Sequence, residues 1–225
     1  MIDAFVRSVV LMRDEVEDFD TYPFSIPAIR ALSELELDSR LTLLAGENGS
    51  GKSTLVEAIA VAVGFNPEGG SRNFAFATRS SHSPLHERLR VVRGTRSPRT
   101  GYFLREESFF NVATQIEELD REPGGPPIID AYGGVSLHEQ SHGEPLSLRG
   151  NLALIGRMHD LAGQGAQFIV STHSPILLGY PNARIYLLSE QGISETSYEE
   201  TEQYALTRSF LNDRDRFLHY LFTDD

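Results

Sequence analysis

Apolar residues recur along the chain in two rhythms, one of strands and one of helices. Ala4 to Met12, with Phe5, Val6, Val9, Val10 and Leu11, has strand character, and Ala28 to Leu37 continues with strand or turn character. Leu41 to Ala45 is a short unbroken apolar run ending at glycine, as a buried parallel strand would. From Ser53 to Val63 the period changes: Leu55, Ile59 and Ala62 share one helical face, and Gly64, Pro67, Gly69 and Gly70 close the segment. Leu89 to Arg93 and Tyr102 to Leu104 read as strands. Ser108 to Arg121 reads as a helix, with Phe109, Val112, Ile116 and Leu119 in register. Leu152 to Leu161 is a second strong helix, Phe168 to Ser171 a buried strand, and Arg184 to Leu188 a further strand ended by Gly192. Thr201 to Phe222 is helical in two pieces, the second capped by Asn212 or Asp213. This alternation predicts an α/β fold in a single domain over 1–225.

The join between Leu41–Ala45 and the first helix carries the chemistry. Gly46-Glu47-Asn48-Gly49-Ser50-Gly51-Lys52-Ser53-Thr54 fits G-x-x-x-x-G-K-[ST], after a strand and before a helix. Glycines let the backbone curl so that successive N–H groups face phosphate oxygens. The helix adds the positive end of its dipole. Lys52 would neutralise the outer phosphates, and the Ser53 hydroxyl would ligate Mg²⁺. ATP with Mg²⁺ is the expected ligand.

Composition narrows the class. At 225 residues the chain can bury a sizeable core; 40% is hydrophobic and 23% charged, ordinary for a globular protein. There is no cysteine, hence no disulfide and no thiolate metal site, and no apolar run approaches the roughly 20 residues that span a bilayer. A cytoplasmic location is the simple expectation. The net charge of −12 is uneven: eight arginines against Glu87 make 72–105 +7 and leave −19 elsewhere. That segment, taken as a basic lobe inserted at 66–107, is either a solvated surface or a contact for phosphates of nucleic acid.

Two further segments, Ser141-His142-Gly143-Glu144 and Ser171-Thr172-His173-Ser174-Pro175, stand in order after the phosphate loop. Together the three resemble the ABC-type ATPases, and the S-x-G-E form is similar to the signature of their SMC-like, chromosome-repair branch and of small bacterial AAA-family predicted ATPases. The resemblance runs from Tyr22-Pro23-Phe24 to Phe217. It implies a mainly parallel sheet flanked by helices and an ATP-dependent homodimer. In that dimer Ser141, Gly143 and Glu144 act on the partner's nucleotide, and His173 is the switch histidine at the terminal phosphate. Tyr22 or Phe24 would stack on adenine, and Glu107 is a candidate for lining the metal.

One element of the family's pattern is missing. An apolar strand ending in Asp-Glu should lie between signature and switch histidine, the aspartate for the Mg²⁺ shell and the glutamate for the attacking water. Glu144 to Phe168 holds Pro145 to Gly150, one helix and a glycine turn, which leaves no room for a signature helix of about 11–12 residues plus a strand of about 5–6. Ile128-Ile129-Asp130 and Leu187-Leu188-Ser189-Glu190 stand in the wrong places. The expectation is a chain that binds nucleotide and hydrolyses it very slowly, with an open edge in its sheet. Alternatives are the nucleotide-binding subunit of a membrane transporter, a degenerate non-hydrolysing module, and a P-loop kinase. The last has no use for the Ser141–Glu144 and His173 pair.

Overall fold

A computed structural model describes residues 4–67, 70–71, 83–98, 100–103 and 148–223. Two sheets organise them. The first is antiparallel, in the order β2-β1-β5, with β1 at Val6–Leu11, β2 at Glu34–Glu36 and β5 at Leu89–Arg93. The second has β7 (Phe168–Ser171), β3 (Leu41–Gly46), β8 (Arg184–Ser189) and β9 (Gly192–Thr196) in that order. In it β7, β3 and β8 are parallel, and β9 returns antiparallel from β8. A two-stranded ribbon pairs β4 (Gly70–Ser71) with β6 (Tyr102–Phe103).

Six helices accompany the strands among the described residues: α1 (Pro27–Ala31), α2 (Lys52–Val63), α3 (Leu148–Gly163), α4 (Pro175–Leu178), α5 (Glu202–Asn212) and α6 (Arg214–Phe222). All six residues of β3 are buried, because alternate side chains enter different cores. Leu44 packs with Leu55 and Ile59 of α2, Ile29 of α1 and Val9 and Leu11 of β1. Leu41, Leu43 and Ala45 point the other way, to Met158 of α3, Leu178 and Ile185. A strand covered on both faces needs an unbroken apolar run, which is what Leu41 to Ala45 supplies.

Gln167 joins the two sheets. Its Oε1 accepts from the Phe5 and Val6 amides at 3.0 and 2.9 Å, and its Nε2 donates to the Val6 and Asp38 carbonyls at 2.7 and 2.8 Å. One side chain thus ties the start of β1, the approach to β3 and the entry to β7.

Several sequence expectations change on contact with the fold. Residues 168–171 form the expected strand, but all four are only half-buried. The reason is position: β7 pairs with β3 on one side, and among the described residues no strand lies on its other side. Gly192 does not merely end β8; it sits at φ +118° and opens β9, a strand whose Gly-Ile-Ser-Glu-Thr sequence carries one large apolar residue and so no period-two signal. Within the arginine-rich stretch, β5 is hydrogen-bonded to β1, and Leu85 and Leu89 enter the core against α2. The two-piece C-terminal helix is as expected, with Asp213 as the cap: its carboxylate accepts from the Arg216 amide at 3.1 Å. The helix expected over Ser108–Arg121 lies outside the described residues.

Candidate functional site

The phosphate loop leaves the end of β3 and enters α2 within five residues, Glu47 to Gly51. Three glycines take positive φ: Gly46 at +138°, Gly49 at +83° and Gly51 at +95°. At Gly46 and Gly51 space is also exhausted. A Cβ on Gly46 would stand 2.3 Å from the Leu188 carbonyl oxygen, and one on Gly51 2.9 Å from Cγ2 of Ile26. Gly49 has nothing within 4 Å of that position, so its backbone faces open space.

Lys52 is 5% exposed, unusual for a lysine unless its ammonium is satisfied. Its Nζ donates to the Gly46 and Glu47 carbonyls at 2.9 and 2.6 Å, with Ser50 Oγ at 3.5 Å. The charge is therefore held at the mouth of the loop, beside the amino end of α2, where two sources of positive potential coincide. Ser53 is exposed, so its hydroxyl is accessible to a ligand's metal ion. Among the described residues no three His, Asp or Glu side chains are grouped to hold a metal by themselves. This donor set fits a Mg²⁺ that arrives on phosphate and takes one hydroxyl from the protein.

The Ser171–Pro175 stretch has a local structural reason. Thr172 continues the β3–β7 ladder by donating its amide to the Leu44 carbonyl at 3.1 Å. The Thr172 hydroxyl oxygen accepts from the Ser174 amide at 3.0 Å, and Ser174 Oγ caps α4 by accepting from Leu177 at 3.3 Å. His173 sits between these two constraints. It lines a cleft of about 250 Å³ together with Glu47, Asn48, Glu202, Gln203 and Leu206.

The structure therefore brings His173 to the phosphate loop, 125 residues away in sequence from Asn48. Ser141, Gly143 and Glu144, and the metal-lining candidate Glu107, lie outside the described residues. So do Arg72, Arg79, Arg99 and Arg105 of the basic stretch; Arg90, Arg93 and Arg96 are exposed and Arg88 is half-buried. The pair Tyr22 and Phe24 divides. Phe24 is buried in the core, edge-on to Phe19 at 6.3 Å, which removes it as a stacking surface. Tyr22 is 63% exposed, with its hydroxyl 3.3 Å from Thr54 Oγ1 at the start of α2. Sequence reasoning missed Glu202, Gln203 and Leu206. The helix start at Thr201 was legible, but not which surface α5 would face.

Residues 21–120 match a family model described as an AAA domain. The match spans 100 of the 225 residues and takes in the Gly46–Thr54 loop, so the chain is similar there to AAA domains. No curated protein matches the chain. Among solved structures there is a likeness to a metal-chelate type ABC transporter in an inward-facing conformation, at a TM-score of 0.42 and 14% identity, covering 92% of this chain and 88% of that one. That likeness is too distant to transfer fold detail or partner. No helix among the described residues is long and apolar enough to cross a membrane.

Proposed function

We propose that the chain binds Mg²⁺·ATP at Gly46–Thr54 and uses the bound nucleotide to drive self-association. The observation that carries this is the Lys52 ammonium, buried and clasped by the Gly46 and Glu47 carbonyls at the amino end of α2. A cation drawn out of water needs compensation, and these carbonyls supply it until a triphosphate takes their place. The positive φ of Gly49, facing open space, supports a backbone that presents amides to phosphate rather than to protein. Bound Mg²⁺ would neutralise phosphate charge, with Ser53 as its ligand from the protein. Tyr22, exposed beside Thr54, is the better placed of the two aromatics to meet the base.

Self-association rests on Ser141, Gly143 and Glu144 serving the partner's nucleotide, and on His173 lining the cleft beside the loop. It makes the protein a cytoplasmic nucleotide switch rather than a kinase. Turnover is slow on this reading, well below the 1–100 s⁻¹ common for phosphoryl transfer, because the Asp-Glu strand is missing from the sequence.

Titration of Mg·ATP into the protein in a calorimeter, with mass followed by light scattering, tests both parts. Wild type should bind and double its mass. Lys52→Ala, which removes charge-assisted hydrogen bonds worth about 1.5–3 kcal/mol, should bind roughly 10- to 150-fold more weakly and stay monomeric. Equal affinity in the two proteins would refute nucleotide binding at this loop. Tight binding without a change of mass would refute the switch alone.

A further inference from the structure

Neither α5 nor α6 contains a buried residue. Helices of 11 and 9 residues are too short to persist on propensity alone; in proteins such helices are held by packing an amphipathic face. Here the large apolar side chains stand in water instead. Leu206, Phe210 and Leu211 of α5 and Tyr220, Leu221 and Phe222 of α6 are between 38% and 79% exposed. They make up most of the large exposed apolar residues among those described.

These groups centre on one stripe. Leu206 and Phe210 stand four apart on α5, and Phe217 and Leu221 four apart on α6, spacings that put each pair on one helical face. The Phe210 and Phe217 rings meet edge-on at 5.7 Å, so the two faces join across the break at Asp213. At about 200 Å² for each aromatic side chain, and somewhat less for each leucine, the six exposed residues offer roughly 600 Å² of apolar surface per copy. That is the upper end for the largest patch on a typical monomer, about 300–600 Å². Two such surfaces laid together reach about 1,200 Å², the lower edge of specific protein interfaces.

Charge selects what covers this face. The chain carries −12, so most of its surface repels a second copy. Over 202–223 the three acids, Glu202, Asp213 and Asp215, are balanced by Arg208, Arg214 and Arg216. Arg214 pairs with Asp215 at 2.7 Å on exposed surface, and Arg216 lies over the Tyr220 ring at 5.8 Å. Both signs thus stand beside the stripe. A two-fold contact sets a patch against itself, so an arginine of one copy can meet an aspartate of the other, and no net charge opposes the approach. An anionic membrane would ask for a basic excess, which 202–223 lacks. We propose that the α5–α6 face is a self-association surface that takes the same face of a second copy, independently of nucleotide.

Sedimentation velocity of the full chain tests this, without nucleotide and then with Mg·ATP, from about 2 to about 500 µM at about 0.15 M salt. An interface at the lower edge of the size range should give a Kd on the order of 10–100 µM. The chain without nucleotide is then monomeric when dilute, where any association driven by nucleotide is read separately, and dimeric when concentrated. Leu221→Glu and Phe210→Glu each set like charges against each other across the two-fold and should raise Kd at least about tenfold, with the circular dichroism unchanged. Leu221 is the more exposed of the two, so its variant carries the test if Phe210→Glu fails to fold. Raising salt from about 0.05 to about 0.5 M should tighten the dimer by screening the charge of −12. A chain still monomeric at the highest concentration overturns the proposal, as does a dimer that is indifferent to Leu221→Glu or weakened by salt. A dimer that forms only with Mg·ATP also overturns it, while leaving the nucleotide reading in place. Binding to neutral phosphatidylcholine vesicles by a chain that stays monomeric would assign the face to lipid instead.

Discussion

Gly46 and Gly49 both sit at positive φ in the phosphate loop, but they answer to different constraints, so replacing each with alanine separates them. Gly49 at +83° faces open space, and Gly49→Ala incurs the left-handed penalty of about 1–2 kcal/mol. Roughly 0.4–1 kcal/mol returns through the less flexible unfolded chain, for a net cost of about 1 kcal/mol. Gly46 at +138° meets strain of about 1–3 kcal/mol and a collision besides. Its new Cβ would lie 2.3 Å from the Leu188 carbonyl oxygen, about 1 Å inside an ordinary carbon–oxygen contact. That oxygen belongs to β8, paired with β3 at Gly46–Leu188, so relief requires opening the seam between the central strands. Overpacking of this kind costs about 1–3 kcal/mol. Gly46→Ala should therefore lose about 2–6 kcal/mol of a stability that is typically about 5–15 kcal/mol. Urea unfolding followed by circular dichroism measures both variants. A Gly46→Ala protein at least about 1 kcal/mol below Gly49→Ala, or unfolded where Gly49→Ala folds, is the expected result. Equal losses would show that the close approach of loop and β8 is not a constraint.

Gln167→Ala should cost about 2 kcal/mol, since it removes four half-buried hydrogen bonds worth about 1 kcal/mol each before water replaces some of them. For this chain length that is a fall in Tm of roughly 4–8 °C, and a shift under about 1 °C in a thermal melt would contradict a joining role. Glu200 is held below the usual carboxylate range, first by the Ser197 backbone amide and then by the hydroxyls of Ser197 and Thr196. A depressed folded value stabilises above the unfolded value of about 4.3 and is lost as pH falls through the folded one. The Tm advantage of wild type over Glu200→Gln should therefore be present at about pH 6 and close at about pH 2, and a constant gap across that range would refute it.

How much the sequence revealed depends on how local each constraint is. The phosphate loop was legible because everything it needs lies within nine consecutive residues: glycines for positive φ, a lysine, and a strand and helix on either side. β3 was legible because burial on both faces demands an unbroken apolar run. The break before α6 was legible because Asp213 is a cap, and caps are local. β9 was not, since a two-residue hairpin from β8 needs only Gly192 and leaves an outer strand free to be polar. The composition of the cleft was hidden for a stronger reason. Asn48, His173 and Gln203 are far apart in sequence and meet through the β3–β7 ladder and the capped start of α5, which no spacing rule encodes.

The edge position of β7 bears on where a catalytic carboxylate can come from. In a parallel sheet, groups at the carboxyl ends of adjacent strands converge on the phosphate loop. β7 delivers His173 in that way, but among the described residues no strand beyond it delivers an acid. The carboxylates that do line the cleft are Glu47, on the loop itself, and Glu202, on α5. On the proposed reading a loop carboxylate sits in the cradle that receives phosphate, where its charge opposes the ligand. Glu202 lines the cleft from the first turn of α5. Its support is thinner than a strand's: α5 has no buried residue and is held by the Thr201 cap and its packing against α4 and the Tyr198–Glu200 turn. Misplacing a reacting group by about 1 Å costs on the order of 10²-fold in rate. A cradle built on buried strand and glycine geometry, with no strand-borne acid beside it among the described residues, should bind nucleotide firmly and turn it over slowly.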